Sequence, residues 1–292
     1  MKFPLLVVLL MAGCPVLVDS VLPAKAQVRS STTRSQTTLE NVSTDRSHQL
    51  ALSSKPTFSD RVLIEPKTVT FIRGKKGQEY PNYKEAIVKY PQVTGLTDQT
   101  VLKNVQATVS LKSVMGQSLD ELRTEFQESW WLSEVDYTVN YNQHSLLDLT
   151  FTISGVGAYP STYEKHRLVS LKTGKVLKAA DVFKKESFGT IAGMVDQAMQ
   201  VEIKQAIAKG NEGGADIRDR LSNKRFQSRN LNTFSVSDKG ITFLYDFGFP
   251  HVILALEPSG RYFFSYDQLK AHIKPGGALG VLLPQTATGV RG

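Results

Sequence analysis

The sequence predicts an α+β fold in which a mainly antiparallel β-sheet is packed by a few helices. Apolar and polar residues alternate over 135–141 and again over 147–153, on either side of the polar turn 142–145. Such alternation across a short turn is typical of an antiparallel hairpin with one buried face. Farther along, apolar residues recur every four positions over 187–209, which predicts one long helix that ends at Gly210.

Shorter elements are predicted on both sides of this centre. We expect strands at 62–71 and 85–90, the second of them ending at Pro91, and a third strand of the central sheet at 167–171. Helical spacing of Leu102, Val105 and Val109 and a capping box at 118–121 predict two helices between the strand at 85–90 and the central hairpin.

Beyond the central sheet, we predict a short helical turn at 178–183 and a long loop or frayed helix at 211–232. In the last third, short apolar runs predict strands at 234–236, 241–245, 252–256 and 262–264, and Ser265 begins a final helix.

The N-terminus has the features of a secretory signal peptide. A lysine precedes an apolar stretch, and Ala24-Lys25-Ala26 forms an A-x-A cleavage site. We therefore predict a signal peptide at 1–26, a disordered Ser/Thr/Gln-rich tether at 27–60, a folded domain at 61–277 and a loose tail at 278–292. The folded domain has room for two subdomains, at about 61–130 and 131–277. The predicted location is periplasmic or extracellular.

Cys14 is the sole cysteine of the chain and lies inside this predicted signal. Its context, Leu-Met-Ala-Gly-Cys, is similar to a bacterial lipobox, in which the cysteine would be acylated after cleavage. Pro15 and the downstream A-x-A site favour ordinary cleavage after Ala26 instead. Both alternatives remain open, and both exclude a disulfide in the mature domain.

The chain is basic, with a formal net charge of +8 and an isoelectric point of about 9.4. Removal of the signal peptide takes away two lysines and one aspartate, which lowers the charge to +7. This balance favours anionic partners. No later run reaches the roughly 20 apolar residues that a membrane-spanning helix needs. For an exported protein we expect envelope polymers or proteins as partners, and not nucleic acid.

The sequence lacks the motifs of the common enzyme classes. It has no G-x-S-x-G, H-E-x-x-H, Walker or Rossmann glycine pattern, and its five histidines are scattered. We therefore predict no catalytic residue, metal site or cofactor. The alternative is an envelope hydrolase whose site is built from the sheet, with Asp136, Asp148 and His144 near the first hairpin as its candidate groups.

Three sets of residues are candidates for partner binding. Trp130 and Trp131 follow an acidic helix face formed by Glu121, Glu125 and Glu128. Basic residues cluster around the third hairpin, and two more lie in the 211–232 segment: Lys165, His166, Arg167, Lys172, Lys175, Lys178, Arg218 and Arg220. For each set the alternative is an ordinary solvated surface, since helices and hairpins routinely expose charged faces.

The order of several short motifs resembles a known extracytoplasmic domain of unknown function. These motifs are Tyr90-Pro91-Gln92, the run 137–142, Gly155 with Tyr159-Pro160, the run 171–175, Asp181-Val182-Phe183, Phe234, the run 240–243, Gly260 and Tyr266. The domain occurs in anti-sigma factors of the RsiV type and beside the deacetylase domain of PdaC-type wall enzymes. The resemblance covers about 62–275 and implies an antiparallel α+β domain outside the membrane.

In the RsiV case, the resemblance implies lysozyme as a bound signal. The chain has no transmembrane helix with a cytoplasmic sigma-binding segment, so the anti-sigma role is not carried over. It has no deacetylase domain, so the PdaC chemistry is not carried over either. A basic domain is also a poor electrostatic match for basic lysozymes. The sequence thus predicts an exported, non-enzymatic envelope binding module for a wall polymer or for a wall-active enzyme such as lysozyme.

Overall fold

A computed structural model describes residues 60–74, 84–128, 131–156, 159–212 and 217–283. The predicted signal peptide with Cys14, the predicted tether up to residue 59, and Trp130 lie outside these residues. No helix in the described ranges is long and apolar enough to cross a membrane.

The first half of the described chain forms a five-stranded mixed sheet. Its strands lie in chain order: β1 (Leu63–Ile72), β2 (Glu85–Thr94), β3 (Leu132–Gln143), β4 (Leu146–Val156) and β5 (Pro160–Ser170). Neighbouring strands are antiparallel except β2 and β3, which pair in parallel at Ile87↔Glu134 and Val88↔Val135. A parallel pair needs a crossover connection, and the helices between β2 and β3 supply it.

Three helices form this crossover and cover one face of the sheet: α1 (Gln99–Thr108), α2 (Leu111–Met115) and α3 (Leu119–Glu128). Asp98 begins α1 by accepting hydrogen bonds from the N–H groups of Thr100 and Val101. The helices bury a first core against the sheet, whose largest members include Phe71, Leu122, Phe126, Leu149 and Phe151.

The second half of the described chain builds a second core against the same sheet. Its elements are α4 (Ala179–Val182), α5 (Phe188–Glu212), α6 (Arg218–Leu221), β6 (Phe234–Val236), β7 (Gly240–Leu244), β8 (Arg261–Ser265) and α7 (Tyr266–Leu269). Strands β6, β7 and β8 form a small antiparallel sheet in that order. Aromatic residues of this sheet meet Phe183 in the core, where the ring centroids of Phe183 and Phe243 lie 5.8 Å apart.

The structure confirms the α+β fold, with the predicted β3–β4 hairpin and the long helix, which is α5. The helix does not end at Gly210 as predicted but continues to Glu212. The hairpin turn is tighter than expected, because only His144 and Ser145 lie between the strands, both at positive φ. Strand β2 does not end at Pro91 but continues to Thr94. The predicted strand at 252–256 is wrong: His251–Leu256 is a 3₁₀ helix, and β8 pairs with β7 instead.

The division of the chain differs from the predicted subdomains. A boundary near residue 130 falls inside the five-stranded sheet, and the first core reaches from Val62 to Leu171. Packing also continues beyond Gly277, since Leu279 is fully buried and Gly280–Leu282 forms a 3₁₀ turn. The two cores therefore share one sheet. The parts of the sheet that neither core covers are where a site can lie.

Candidate functional site

The sheet face opposite α1, α2 and α3 is polar along β3, β4 and β5. The register places Asp136 opposite Thr152 and Thr138 opposite Thr150, and Thr150 in turn opposite His166. Near the hairpin turn this face becomes apolar, because Tyr141, Leu146 and Leu168 belong to the second core. The second half of the chain therefore covers one end of the face and leaves the other end open.

Asp148 lies under the covered end and is completely buried. Its Oδ2 accepts hydrogen bonds from the Ser235 hydroxyl at 2.7 Å and from the Val236 N–H at 2.8 Å. Its Oδ1 accepts one from the Asn140 amide at 3.2 Å. These contacts satisfy the carboxylate and join β3 and β4 of the large sheet to β6 of the small one, which makes Asp148 a structural group.

His166 is the neighbour of Asp148 on β5. Its Nε2 lies 2.9 Å from Asp148 Oδ1, close enough for an ion pair, although the N–H direction is not aligned for a hydrogen bond. Its Nδ1 lies 3.2 Å from the Thr150 hydroxyl. The side chain is only 7% exposed and also borders the open end of the polar face. His166 therefore separates the buried polar cluster from a surface depression next to it.

This depression, called the β5 groove below, has a volume of about 710 Å³. One wall is the continuous stretch of β5 from Thr162 to His166. The other walls come from the second half of the chain: Arg229, Asn230, Thr233, Leu244, Tyr245, Asp246 and the loop from Glu257 to Arg261. Its size is in the range of pockets that hold small ligands.

The loop that forms the far wall of the groove is fixed to α5. Glu202 accepts hydrogen bonds from the Ser259 N–H at 2.6 Å and from the Tyr262 hydroxyl at 2.8 Å. Burial, followed by the hydrogen bond to Glu202, raises the pKa of Tyr262. Gly260 has a φ of +64°, and a Cβ there would collide with the Tyr245 carbonyl oxygen, so this turn requires glycine.

Most charges in the β5 groove already have protein partners. Glu164 and Arg261 form a half-exposed ion pair at 2.5 Å across it. Asp246 accepts from the Gly248 N–H at 2.7 Å, and Glu257 accepts from the Phe249 N–H at 3.2 Å. Arg229 is exposed, and within the described ranges its guanidinium has no hydrogen-bond or ion-pair partner. The carboxylates of the groove keep their charge in these hydrogen bonds, so the three carboxylates and three cations of its lining balance. Arg229 is the groove cation with no hydrogen-bond, ion-pair or ring partner among the described residues, since Lys165 lies over the Tyr163 ring.

The residues suggested for a hydrolase are not brought together. Asp136 is paired with Lys89 at 2.9 Å, and the His144 Nδ1 lies 2.6 Å from the Tyr141 hydroxyl. Asp136 lies opposite Thr152, four residues along β4 from Asp148, which separates the two carboxylates by roughly 13 Å. With Asp148 sealed from solvent, these three residues do not form a catalytic set. The described residues also contain no group of three His, Cys, Asp or Glu side chains that could hold a metal ion.

Of the residues suggested for partner binding, Lys165 and His166 line the β5 groove, and the others that the structure describes lie away from it. Trp131 is half-buried and its indole N–H donates to Glu125 at 2.5 Å. Lys172 and Lys175 are exposed in the turn after β5, and Arg218 and Arg220 are exposed on α6. None of these five residues lines the β5 groove.

Sequence reasoning missed the groove because it began the third strand at residue 167. The observed β5 begins at Pro160, so the stretch from Thr162 to His166 was not recognised as a sheet edge. The alternation of 163, 165 and 167 with 162, 164 and 166 is hidden, because both sets are polar or aromatic. Of the groove residues, Lys165 and His166 had been noted as part of a basic cluster, and Arg229 as part of the 211–232 segment.

No protein-family model matches the chain, and no curated protein sequence matches it. Among solved structures, it is similar to a member of the DUF3298 family from Bacteroides fragilis NCTC 9343, at 12% identity and a TM-score of 0.46, over 77% of this chain and 99% of that one. A DUF3298 protein from Pseudomonas aeruginosa PAO1 is similar at 16% identity and a TM-score of 0.44, over 78% and 98%. Both are described only as proteins of that family, so the finer resemblance to the RsiV and PdaC type stays a prediction.

Proposed function

We propose that the protein is an exported, non-enzymatic binding module of the cell envelope and that the β5 groove is its ligand site. The β5 groove carries this proposal: it has the volume of a ligand pocket, its far wall is fixed to α5, and its carboxylates are engaged by protein donors. The signal-peptide pattern of the N-terminus supports the export part of the proposal. Anchoring through Cys14 is compatible with the same role.

Arg229 in the groove supports an anionic or hydrogen-bonding partner. Arg229 is free to pair with a ligand, and the predicted mature chain carries an excess of positive charge that would draw anionic surfaces toward it. Wall polymers and envelope proteins both offer such groups. The sequence resemblance keeps lysozyme as a candidate partner. Electrostatic repulsion between two basic proteins disfavours this pairing.

The test measures retention of the chain, without its signal peptide, on isolated sacculi and on immobilised lysozyme. The groove variant is Arg229→Glu, and the matched control is Arg220→Glu, which reverses an exposed charge on α6 outside the groove. We expect Arg229→Glu to weaken retention about tenfold at roughly 50 mM salt, because it places a repulsive charge in the site, while Arg220→Glu leaves retention nearly unchanged.

Equal losses in both variants would show that general surface charge, and not the groove, holds the partner. Retention by neither bait would remove both partner candidates. Retention that is as strong at about 300 mM salt as at about 50 mM would contradict the electrostatic part of the proposal.

A further inference from the structure

Strand β5 is at the edge of the five-stranded sheet, and alternate residues turn their main-chain groups away from β4. The two strands pair without a register shift from Val156↔Pro160 to Leu146↔Ser170. In an antiparallel ladder the N–H and C=O of one residue point to the same side, and the next residue points to the other side. The Ser170 N–H and the Leu168 C=O bond to the returning chain at Lys175 and Leu177, on the side away from β4.

Even-numbered residues of β5 therefore face outward. The position of Pro160 agrees with this, because a proline has no N–H to give and is tolerated where the N–H would point away from the sheet. At the C-terminal end the returning chain covers the edge, with an isolated bridge at Val169↔Val176. The His166 carbonyl accepts from the Arg167 guanidinium at 2.9 Å.

The stretch between these two ends stays open. Within the part of the chain that the structure describes, the main-chain N–H and C=O groups of Thr162 and Glu164 have no outward hydrogen-bond partner. The same stretch of β5 is one wall of the β5 groove. An unpaired strand edge can pair with a further strand. The open edge of β5 borders a groove whose opposite wall is fixed.

We propose that the β5 groove binds an extended acidic peptide segment, which adds to the open edge of β5 as a further strand. This inference rests on the proposed function, because it uses the same groove as the ligand site. The peptide main chain would exchange hydrogen bonds with Thr162 and Glu164, as in other cases of strand addition. An acidic side chain of the peptide would reach Arg229, the cation in the groove that has no partner among the described residues.

The spacing of the open groups favours a peptide over a glycan. Outward-facing residues of a strand repeat every two residues, about 6.8 Å apart, and each offers one donor and one acceptor. An extended peptide presents the complementary donors and acceptors at the same repeat. A sugar chain has hydroxyl groups without this fixed pairing, so it would not use the strand edge in register.

The decisive variant is Thr162→Pro, compared with Thr162→Ala. Proline at this outward position removes one open N–H and fills the edge with its ring, yet it leaves the β4–β5 hydrogen bonds in place. Alanine removes the side chain, including its contact with the Ser154 hydroxyl at 3.0 Å, and keeps the main chain intact. The contrast therefore isolates main-chain pairing.

The probe is a pair of fluorescent octapeptide pools of random sequence, one with two fixed glutamates and one with two fixed lysines. Binding to the chain without its signal peptide is measured by anisotropy. We expect the acidic pool to bind more tightly, and Thr162→Pro to weaken binding at least about tenfold, the order expected for one lost main-chain hydrogen bond together with the blocked edge. Thr162→Ala should bind within about twofold of the parent chain.

A second measurement does not depend on the variant folding. A single peptide selected from the acidic pool is N-methylated at every second residue, in either of the two registers, and bound to the unaltered chain. One register should lose binding and the other should keep it, because only alternate N–H groups of an added strand face β5.

Equal binding by the proline and alanine variants, or by both methylated peptides, would overturn strand addition. Preference for the lysine pool would overturn the acidic ligand. If sacculi are retained through Arg229 and no peptide pool binds, the proposed function stands and the peptide inference falls. If neither sacculi, lysozyme nor peptides bind, the groove is not a ligand site and both fall.

Discussion

The role that the sequence suggests for Asp148 differs from the role that the structure shows. The alternation of β4 places it on the polar face, and such a position is usually solvated. It is buried instead, because Ser235 and Val236 cover it from a strand that lies 87 and 88 residues farther along the chain. No local pattern contains that contact, so the sequence could suggest only an exposed or catalytic role for this carboxylate.

We predict that Asp148→Asn lowers the free energy of unfolding by about 2–4 kcal/mol, because it leaves the buried donors of Ser235, Val236 and Asn140 with one acceptor oxygen fewer and adds a new buried donor. The volume of the side chain stays nearly constant, so the effect reports hydrogen bonding and charge. Urea denaturation followed by circular dichroism measures it.

The matched control for this change is Asp136→Asn, on the same face of the same sheet. Asp136 and its partner Lys89 are each about two-fifths exposed, at 41% and 39%, so this pair should contribute less than about 1 kcal/mol. Equal losses in the two variants would contradict the structural role assigned to Asp148.

At the scale of secondary-structure elements, the sequence predicted the strands and helices whose apolar residues repeat regularly because one face packs against a core. The β3–β4 hairpin and α5 are of this kind. The alternation in the hairpin and the four-residue spacing in α5 both place apolar residues on the side that faces a core. The apolar run 252–256 has no such periodicity, and short apolar runs do not distinguish a strand from a helical turn. The parallel pairing of β2 with β3 also has no local signal, because three helices separate the strands.

The turn after β5 depends on a glycine that packs against α1. Gly174 has a φ of +72°, and a Cβ there would collide with Asn104 and lie 2.9 Å from the Val105 nitrogen. Its carbonyl accepts from the Thr108 hydroxyl at 2.7 Å. The turn and the helix therefore approach more closely than any other residue type would permit.

Gly174→Ala should lower the free energy of unfolding by about 2–4 kcal/mol, from left-handed backbone strain together with overpacking against α1. Gly116 is the matched control, since its φ is +83° and a Cβ there would meet nothing within 4 Å. Gly116→Ala should show the backbone part alone, about 1–2 kcal/mol. Thermal or urea unfolding of the two variants compares them, and an equal effect would argue against a close approach at Gly174.

At the scale of the whole described molecule, the two cores are built on one sheet. Strand β4 presents Leu146 to the second core and Leu147 and Leu149 to the first, on its two faces. A break between the cores would therefore expose apolar surface on both sides of the same strand. The sequence suggested a boundary near residue 130 because it could not show that β2 and β3 belong to one sheet.

This sharing predicts one cooperative unfolding transition. Hydrogen exchange at increasing urea should give the same midpoint for amides in β4 and in α5, because loss of either core removes packing from the sheet that supports the other. Mass spectrometry of peptides from the two elements measures this. Clearly separated midpoints would show that the cores are independent domains.

The candidate site was the least predictable part of the molecule. Its two walls come from β5 and from segments about 65–95 residues farther along, such as Arg229 and Arg261, and they are joined by an ion pair from Glu164 to Arg261. Basic residues were noted from the sequence, but the ones chosen, such as Lys172 and Arg220, lie outside the groove. Charge alone made many surface residues candidates for partner binding, and only the fold shows which of them line the groove.

The outward-facing main chain of β5 has a consequence for how function is sought in this protein. Alanine scanning removes side chains and leaves every N–H and C=O in place, so it would pass over a surface that recognises its partner through Thr162 and Glu164 main-chain groups. Side chains along this edge could also change through evolution with little loss of recognition. Genetic screens would detect such a site mainly through prolines and insertions, the changes that alter the backbone itself.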